Sequence, residues 1–417
     1  MSAIREALIY QKEELKRKLE QRYIQRDASI NNIESDIIKV ITGPRRAGKS
    51  FFAIHALQEI DNFGYANYDD ETLAGAENYN EVISEINVLY NNPRYILLDE
   101  IQNLDKWELF VNRLHRQGHN LVITGSNSNL LSMELATHLT GRHLTTDLLP
   151  LSFKEIATRN NSEVPESEFK ALFSDYLVNG GYPEPLVKNL DYAEYLSTLF
   201  ESVIYKDIVR RYRIRKPRII EEIATYLIAN LSREFSYNKL ADMTMLKSPH
   251  SVKRYVDFLK EGFIFFEVER YSTKISERVK ANRKIYCIDN GFINSKVHGN
   301  SRDTGKLYEN LVAIEIKRRT LREHLEFFYW KNAQQEEVDF VIKDGTKITK
   351  LIQVCSDPRA QVTKSREVRA LLKASVDLRC DDLTVLTEDY ESEEIVEWFG
   401  VSKPVKFIAT WRWLLSG

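Results

Sequence analysis

Cysteine is scarce: Cys287, Cys355 and Cys380 are the only three in 417 residues. Three scattered thiols make neither a disulfide framework nor a cysteine-ligated zinc site, and they fit a chain kept in the reducing cytoplasm. Sixteen Gly and ten Pro are too few for a collagenous or low-complexity architecture. Neither charge is in excess. With 59 Lys+Arg against 61 Asp+Glu, the formal net charge is −2, so any contact with nucleic acid has to be a local patch. No apolar run approaches the roughly 18–20 residues of a membrane span, and the start MSAIREALIYQKEELKRKLEQRY is too charged for a secretion signal. No membrane partner is expected. Fixed-period repeats and Ser/Gly/Pro linkers are also missing, so the domains should abut. At ~100–200 residues each, the length suggests two to four of them.

Charge is present in blocks. Residues 61–110 hold eleven acids and two bases, residues 201–260 thirteen bases and seven acids, and residues 380–400 eight acids and no base. Such blocks mark different surfaces. Apolar residues at helical spacing predict a helix over 4–26. Strand-like stretches then alternate with helical ones: Ile37–Thr42, helix 51–60, Phe63–Tyr68, helix 77–91, Tyr95–Leu98, helix 107–117, Leu121–Thr124 and His143–Leu149. Five strands alternating with helices predict an α/β core with a parallel sheet covered on both faces. Residues 170–260 read as almost wholly helical, and a mixed α/β segment follows.

Gly43-Pro44-Arg45-Arg46-Ala47-Gly48-Lys49-Ser50 fits G-x-x-x-x-G-K-[ST] at every fixed position, between a predicted strand and a predicted helix. Glycines let the main chain curl so that successive N–H groups face phosphate oxygens. Lys49 supplies a charge to the β- and γ-phosphates, the Ser50 hydroxyl is a Mg²⁺ ligand, and the helix N-terminus favours the anion. Fifty residues on, the strand Tyr95-Ile96-Leu97-Leu98 ends in Asp99-Glu100. Asp99 is placed to hold Mg²⁺ through water, and Glu100 to polarise the attacking water. Past the next strand, Asn127, and after it Ser126, are candidates to orient water or sense the γ-phosphate. Arg142 is a candidate phosphate sensor for its own site or a neighbour's; the alternative is a surface salt bridge. The expected ligands are ATP and Mg²⁺.

The runs ITGPRRAGKS, YILLDEIQNLDKWELFVNRL, VITGSNSNLL and LTGRHLTTDLLPLSFKEI resemble those of predicted AAA+-type ATPases of archaea and bacteria. Later motifs agree: GGYPEP at 180–185, YKDIVRRY at 205–212, KIYCIDNGFIN at 284–294 and EVDFVIKDG at 337–345. The resemblance implies a P-loop NTPase core of the AAA+ (ASCE) type, a mostly helical winged-helix domain and a C-terminal mixed α/β restriction-endonuclease-like domain. The expected division is 1–35 (N-terminal helix), 36–165, 166–275 and 276–417.

In the middle segment, Ser248-Pro249 signals a helix start, with Ser248–Glu261 as the candidate recognition helix. Its Lys253 and Arg254, with Arg210, Arg211, Arg213 and Arg215 from the basic run before it, are the candidate DNA contacts. A lid or a protein-interaction surface is the competing use. GGYPEP is expected to be a tight turn and rigid connector. In the C-terminal segment, Glu309, Asp339 and Gln353 occupy the places of a nuclease metal site. The pattern is broken there: Gln353 is neutral where an acid belongs, and Cys355 stands where a lysine belongs, so nuclease activity is not expected. The function expected is an ATP-hydrolysing switch or motor, with DNA, a protein partner or further copies of the chain as candidate partners. The alternatives are a DNA-binding regulator that holds ATP as a latch, and an ATP-gated nuclease.

Overall fold

The strand-like runs become β1 (Ile38–Thr42), β2 (Phe63–Asn67), β3 (Tyr95–Asp99), β4 (Asn120–Gly125) and β5 (His143–Asp147) of one parallel sheet, in the order β2-β3-β4-β1-β5. This is a computed structural model describing residues 2–60, 62–126, 141–159, 165–244, 246, 248–296, 303–357, 361–398 and 400–416. β1 and β3 are buried at every position, which is why they read as unbroken apolar runs rather than alternating ones. Parallel pairing in register, with Thr42 opposite Gly125 and Asn67 opposite Asp99, gathers the carboxyl tips of β1, β2, β3 and β4 along one edge. In open α/β sheets that edge is where ligands sit. The sheet and the helices Lys49–Gln58, Tyr79–Leu89 and Trp107–Arg116 share one apolar core.

The N-terminal helix runs Ala3–Glu20, shorter than the periodicity predicts. Beyond it the chain is extended because tertiary contacts override the helical spacing: Tyr23 stacks on His55 with ring centroids 4.0 Å apart, and Ile24 and Arg26 are buried.

The chain divides into two compact units. One comprises Met1–Leu151, Leu186–Asn189 and Glu261–Phe263; the other comprises Ser152–Pro185, Leu190–Lys260 and Ile264–Gly417. In the second, helices Glu166–Asn179, Tyr192–Ser202 and Pro217–Ala229 precede β6 (Glu234–Phe235), helices Tyr237–Met243 and Pro249–Glu261, β7 (Phe265–Val268) and β8 (Arg283–Cys287). The last three strands form an antiparallel sheet ordered β6-β8-β7, which spans the expected boundary at residue 275. Helix Thr304–Glu323 follows, and then β9 (Glu326–Lys331), β10 (Glu337–Asp344), β11 (Lys347–Val354), helix Gln361–Leu378, β12 (Leu383–Thr387), β13 (Ser392–Trp398) and β14 (Val401–Ala409). These strands make a mixed sheet ordered β13-β14-β12-β11-β10-β9. Main-chain bonds join the two sheets: Tyr271 N–H donates to the Tyr329 carbonyl at 2.7 Å, and Tyr329 N–H donates to Glu269 at 3.0 Å. Among the described residues, no helix is long and apolar enough to cross a membrane.

The GGYPEP and IDNGF motifs meet in this unit. Gly180 has φ +73°, and a Cβ there would fall 1.8 Å from Oδ1 of Asp289. Gly181 has no such backbone angle; its N–H is what the turn contributes, to the Asp289 carboxylate.

Candidate functional site

Glycine makes the loop after β1 possible. Gly43 has φ +148°, and a Cβ there would lie 2.1 Å from the Leu148 carbonyl oxygen. Gly48, at φ +92°, is the N-cap of helix Lys49–Gln58 and brings no side chain to that helix's first N–H groups. Open amides and the helix dipole both favour an anion at this end. Ala47 N–H closes the turn onto the Pro44 carbonyl at 3.2 Å, and Lys49 Nζ donates to the same oxygen at 2.9 Å. Lys49 is only 3% exposed, so its ammonium is held at the buried base of the loop. Arg45 is half-buried; Arg46 is exposed at φ +64°.

Asp99 is the hub of the neighbouring strand tips. Its Oδ1 accepts from the Ser50 hydroxyl at 2.8 Å and the Thr124 hydroxyl at 2.5 Å, and its Oδ2 accepts from the Tyr65 hydroxyl at 3.0 Å. Burial pushes its carboxyl pKa up, and the Glu100 charge adds to that; the Thr124 and Ser50 hydrogen bonds pull it back. Burial, followed by the charge of Asp99, holds the Tyr65 phenol well above its ordinary range, so it stays a neutral donor. A hydroxyl and a carboxylate brought together across 49 residues are the hard oxygen donors that Mg²⁺ takes. These residues fit a metal-bound triphosphate.

Glu100 sits in the left-handed region at φ +49°, with its N–H on the Thr124 hydroxyl at 3.0 Å and its carboxylate accepting from the Gln102 amide. Main-chain strain of this kind concentrates at functional turns. Ser126 follows β4 directly and is half-buried; Asn127 lies outside the described residues. Arg142 requires a correction. It is exposed and precedes β5, and its carbonyl accepts from the N–H of Ile38 at the start of β1. The loop follows the end of β1, so the two lie at opposite edges of the sheet, about 15 Å apart along a five-residue strand. Arg142 therefore does not reach the loop of its own chain.

Motif spacing missed Arg26. It is 6% exposed, and its guanidinium donates to the Ala47 carbonyl at 3.0 Å and the Leu149 carbonyl at 2.5 Å. In a trans peptide the C=O and the following N–H point in opposite directions, so a hold on the Ala47 oxygen also fixes the direction of the Gly48 N–H. Thr124 and Tyr65 were missed too. A polar residue at or near a strand tip beside the loop was the available signal.

In the second unit, Val203–Val209 is a π-helical stretch leading into the basic run. Arg210, Arg211, Arg213 and Arg215 are exposed, as are Lys253 and Arg254 on helix Pro249–Glu261. Tyr212 stacks on Phe258 at 3.7 Å between ring centroids, which sets the arginine run beside that helix. The next arginine, Arg218, pairs with Glu222 at 3.2 Å.

Glu309, Asp339 and Gln353 line one cleft of about 770 Å³. The Gln353 oxygen accepts from Asp339 N–H at 3.2 Å, and its amide donates to Glu367 at 2.6 Å. Cys355 is buried, which pushes its thiol up to about 11. The lysine absent from β11 is supplied by β8. Lys284, with 2% of its side chain exposed, places Nζ 3.1 Å from Glu309, 3.2 Å from Asp339 and 2.5 Å from Glu337. Burial alone would lower its pKa, but the charges of Glu309, Asp339 and Glu337 hold it well above the ordinary range. Burial, then the charge of Asp339, raises Glu309. With an amide at Gln353 and an ammonium among the acids, these residues do not fit a divalent ion. Among the described residues, no group of three or more His, Cys, Asp or Glu side chains is set to hold a metal.

Residues 35–157 match the model of the AAA domain family, and residues 170–303 and 304–402 match two domains of unknown function (DUF8612 and DUF4143). An uncharacterised protein of Methanocaldococcus jannaschii is 33% identical over 415 residues, covering 94% of this chain and 91% of that protein. An uncharacterised protein of Haemophilus influenzae is 29% identical over 336 residues, 76% of this chain and 82% of its own length. Among solved structures, the Walker-type ATPase PABY2304 of Pyrococcus abyssi is similar at 17% identity and a TM-score of 0.43, covering 68% of this chain and 95% of that one. A likeness that distant adds nothing to the site. The chain carries an AAA domain and belongs to the same protein family as the uncharacterised Methanocaldococcus jannaschii protein.

Proposed function

We propose that the N-terminal core is a Mg²⁺-dependent ATPase whose nucleotide cycle switches or drives the rest of the chain. The observation that carries this reading is the 2.8 Å hydrogen bond from Ser50 to Asp99, which joins the phosphate-loop motif to the acidic strand tip. The main-chain N–H groups of the loop (Pro44 has none, and Ala47 N–H closes the turn) and the Lys49 ammonium hold the β- and γ-phosphates. Ser50 and Asp99 hold Mg²⁺, which supplies charge neutralisation between the phosphates when bound. Glu100 takes the proton of the attacking water, with Asn127 orienting it. Arg142 is out of reach of its own loop and acts on the site of a neighbouring copy.

The test is ATP turnover by the full chain, with and without single- and double-stranded DNA. Lys49→Ala should lose binding; Glu100→Gln should keep binding and lose hydrolysis. Wild-type turnover by Glu100→Gln would remove Glu100 as the base, and no ATP binding by the wild type would remove the whole reading.

The latch reading has one observation in its favour. The Glu100 carboxylate already accepts from the Gln102 amide through Oε2, and a carboxylate that accepts such a bond is a weaker base. A single retained nucleotide per chain with very slow release supports the latch; multiple turnover stimulated by DNA supports the motor. DNA is the candidate partner because Arg210, Arg211, Arg213 and Arg215 are exposed beside helix Pro249–Glu261, within a helix-and-strand order that suits a winged helix. The four-part division of the chain and its cytoplasmic setting belong to the same proposal. The nuclease reading is disfavoured by Gln353 and Cys355.

A further inference from the structure

The C-terminal cleft contains a cation of its own. Lys284 is contributed by β8 of the three-stranded sheet, whereas its partners Glu309, Glu337 and Asp339 belong to the helix and strand of the mixed sheet. Two of the ammonium's N–H donors go to Glu309 and Asp339 at 3.1 and 3.2 Å, and the Glu337 carboxylate lies 2.5 Å away as an ion-pair partner. The Tyr329 ring lies 5.6 Å away and Tyr286 donates to the same Glu309 oxygen at 2.8 Å, so the ammonium's surroundings are complete. The remaining oxygen of Asp339 accepts from Val354 N–H at 3.0 Å. A divalent ion bound by Glu309 and Asp339 would need those oxygens at about 2.0–2.6 Å, in the volume that Nζ fills.

We propose that Lys284 is the resident cation of this cleft, taking the position that a restriction-endonuclease-like site reserves for Mg²⁺, and that the carboxylates serve as a joint between the two sheets and not as a cutting centre. A buried charge of this kind is costly unless paired, so removing one partner should be felt strongly. The same logic says that an empty pocket left by Lys284 would attract another cation.

The experiment uses the nucleotide-free full chain and follows Mn²⁺ by its free-ion paramagnetic resonance signal, alongside thermal melts. Wild type and Asp339→Asn should take up the same amount of Mn²⁺. Lys284→Met should take up one further equivalent, lost again in Lys284→Met with Asp339→Asn, and should melt roughly 10 °C lower without metal. Adding Glu309→Gln to that double variant removes a second stranded charge and should recover part of the drop. Mn²⁺ uptake by the wild type that Asp339→Asn abolishes would overturn the proposal. A Lys284→Met chain that melts like the wild type and takes up no extra Mn²⁺ would overturn it as well. If Lys284→Met does not fold, the wild-type and Asp339→Asn titrations still decide whether a metal shares the cleft, and folding rescued by Mn²⁺ would count in favour.

Discussion

The N–H of Gly181 donates to Oδ2 of Asp289 at 2.7 Å, across 108 residues of chain, and Gly291 N–H donates to the other oxygen at 2.8 Å. Burial raises the Asp289 carboxyl to about 7, although both main-chain bonds and Arg318 pull it down. An unfolded Asp titrates near ~3.9. The folded chain therefore holds this proton more tightly. The stability it contributes is full below about pH 4 and is lost as the pH rises through 7. Asp289→Asn should flatten the fall in stability between about pH 4 and 7, while costing about 1–3 kcal/mol because an amide N–H would face a main-chain N–H. Denaturant titrations at several pH values check this; parallel wild-type and variant pH curves would contradict it.

Arg26→Ala strands the carbonyls of Ala47 and Leu149 in a buried site. The expected loss is about 1–3 kcal/mol of stability, with roughly tenfold weaker ATP binding because the Gly48 N–H is no longer aimed. Arg26→Lys cannot span both oxygens and should lie near the alanine variant. Calorimetry with a non-hydrolysable ATP analogue measures it, and unchanged affinity in a folded variant would count against a loop-positioning role.

Gly43→Ala should abolish nucleotide binding or folding, since its Cβ would meet a main-chain oxygen at 2.1 Å. Gly118→Ala is the control. Gly118 also has positive φ, at +86°, but nothing lies within 4 Å of its Cβ, so only the left-handed cost of roughly 1 kcal/mol is expected. Equal melting points and equal ATP affinity for the two variants would refute the steric argument.

If the basic run contacts DNA, its salt dependence will report it. Replacing Arg210 and Arg211 with alanine should weaken binding of every duplex sequence alike and lower the slope of log K against log salt by about 0.9 per lost phosphate contact. Lys253→Ala with Arg254→Ala should alter preference between sequences if helix Pro249–Glu261 enters a groove. Fluorescence anisotropy at several salt concentrations separates the two effects; no change in either quantity removes the DNA assignment.

The parallel core was legible because its inner strands are buried on both faces, so Tyr95–Leu98 and Leu121–Ile123 appear as plain apolar runs. The loop and the Asp99-Glu100 tip were legible because phosphate chemistry demands those residue types at those spacings. What spacing could not disclose were partners set by tertiary approach. Arg26 reaches the loop from a segment that reads as helix, and Tyr65 and Thr124 meet Asp99 only because three strands lie in register. Arg142 is kept from the loop of its own chain for a topological reason: in a parallel sheet the residue before a strand lies at the edge away from the loop. Lys284 was hidden inside KIYCIDNGFIN, a motif whose neighbouring residues pack in the core.

The pairing of the three-stranded sheet with the mixed one has a mechanical consequence. Between Glu269 and Tyr271 the chain is laced to Tyr329 by main-chain bonds, and fifteen residues further on the same sheet is pinned by charge. Two attachments of different character, one short-ranged and directional, the other stiff to separation but tolerant of small rotations, resist both shear and opening. Splaying the two sheets apart would have to break directional main-chain bonds and a buried ion cluster together.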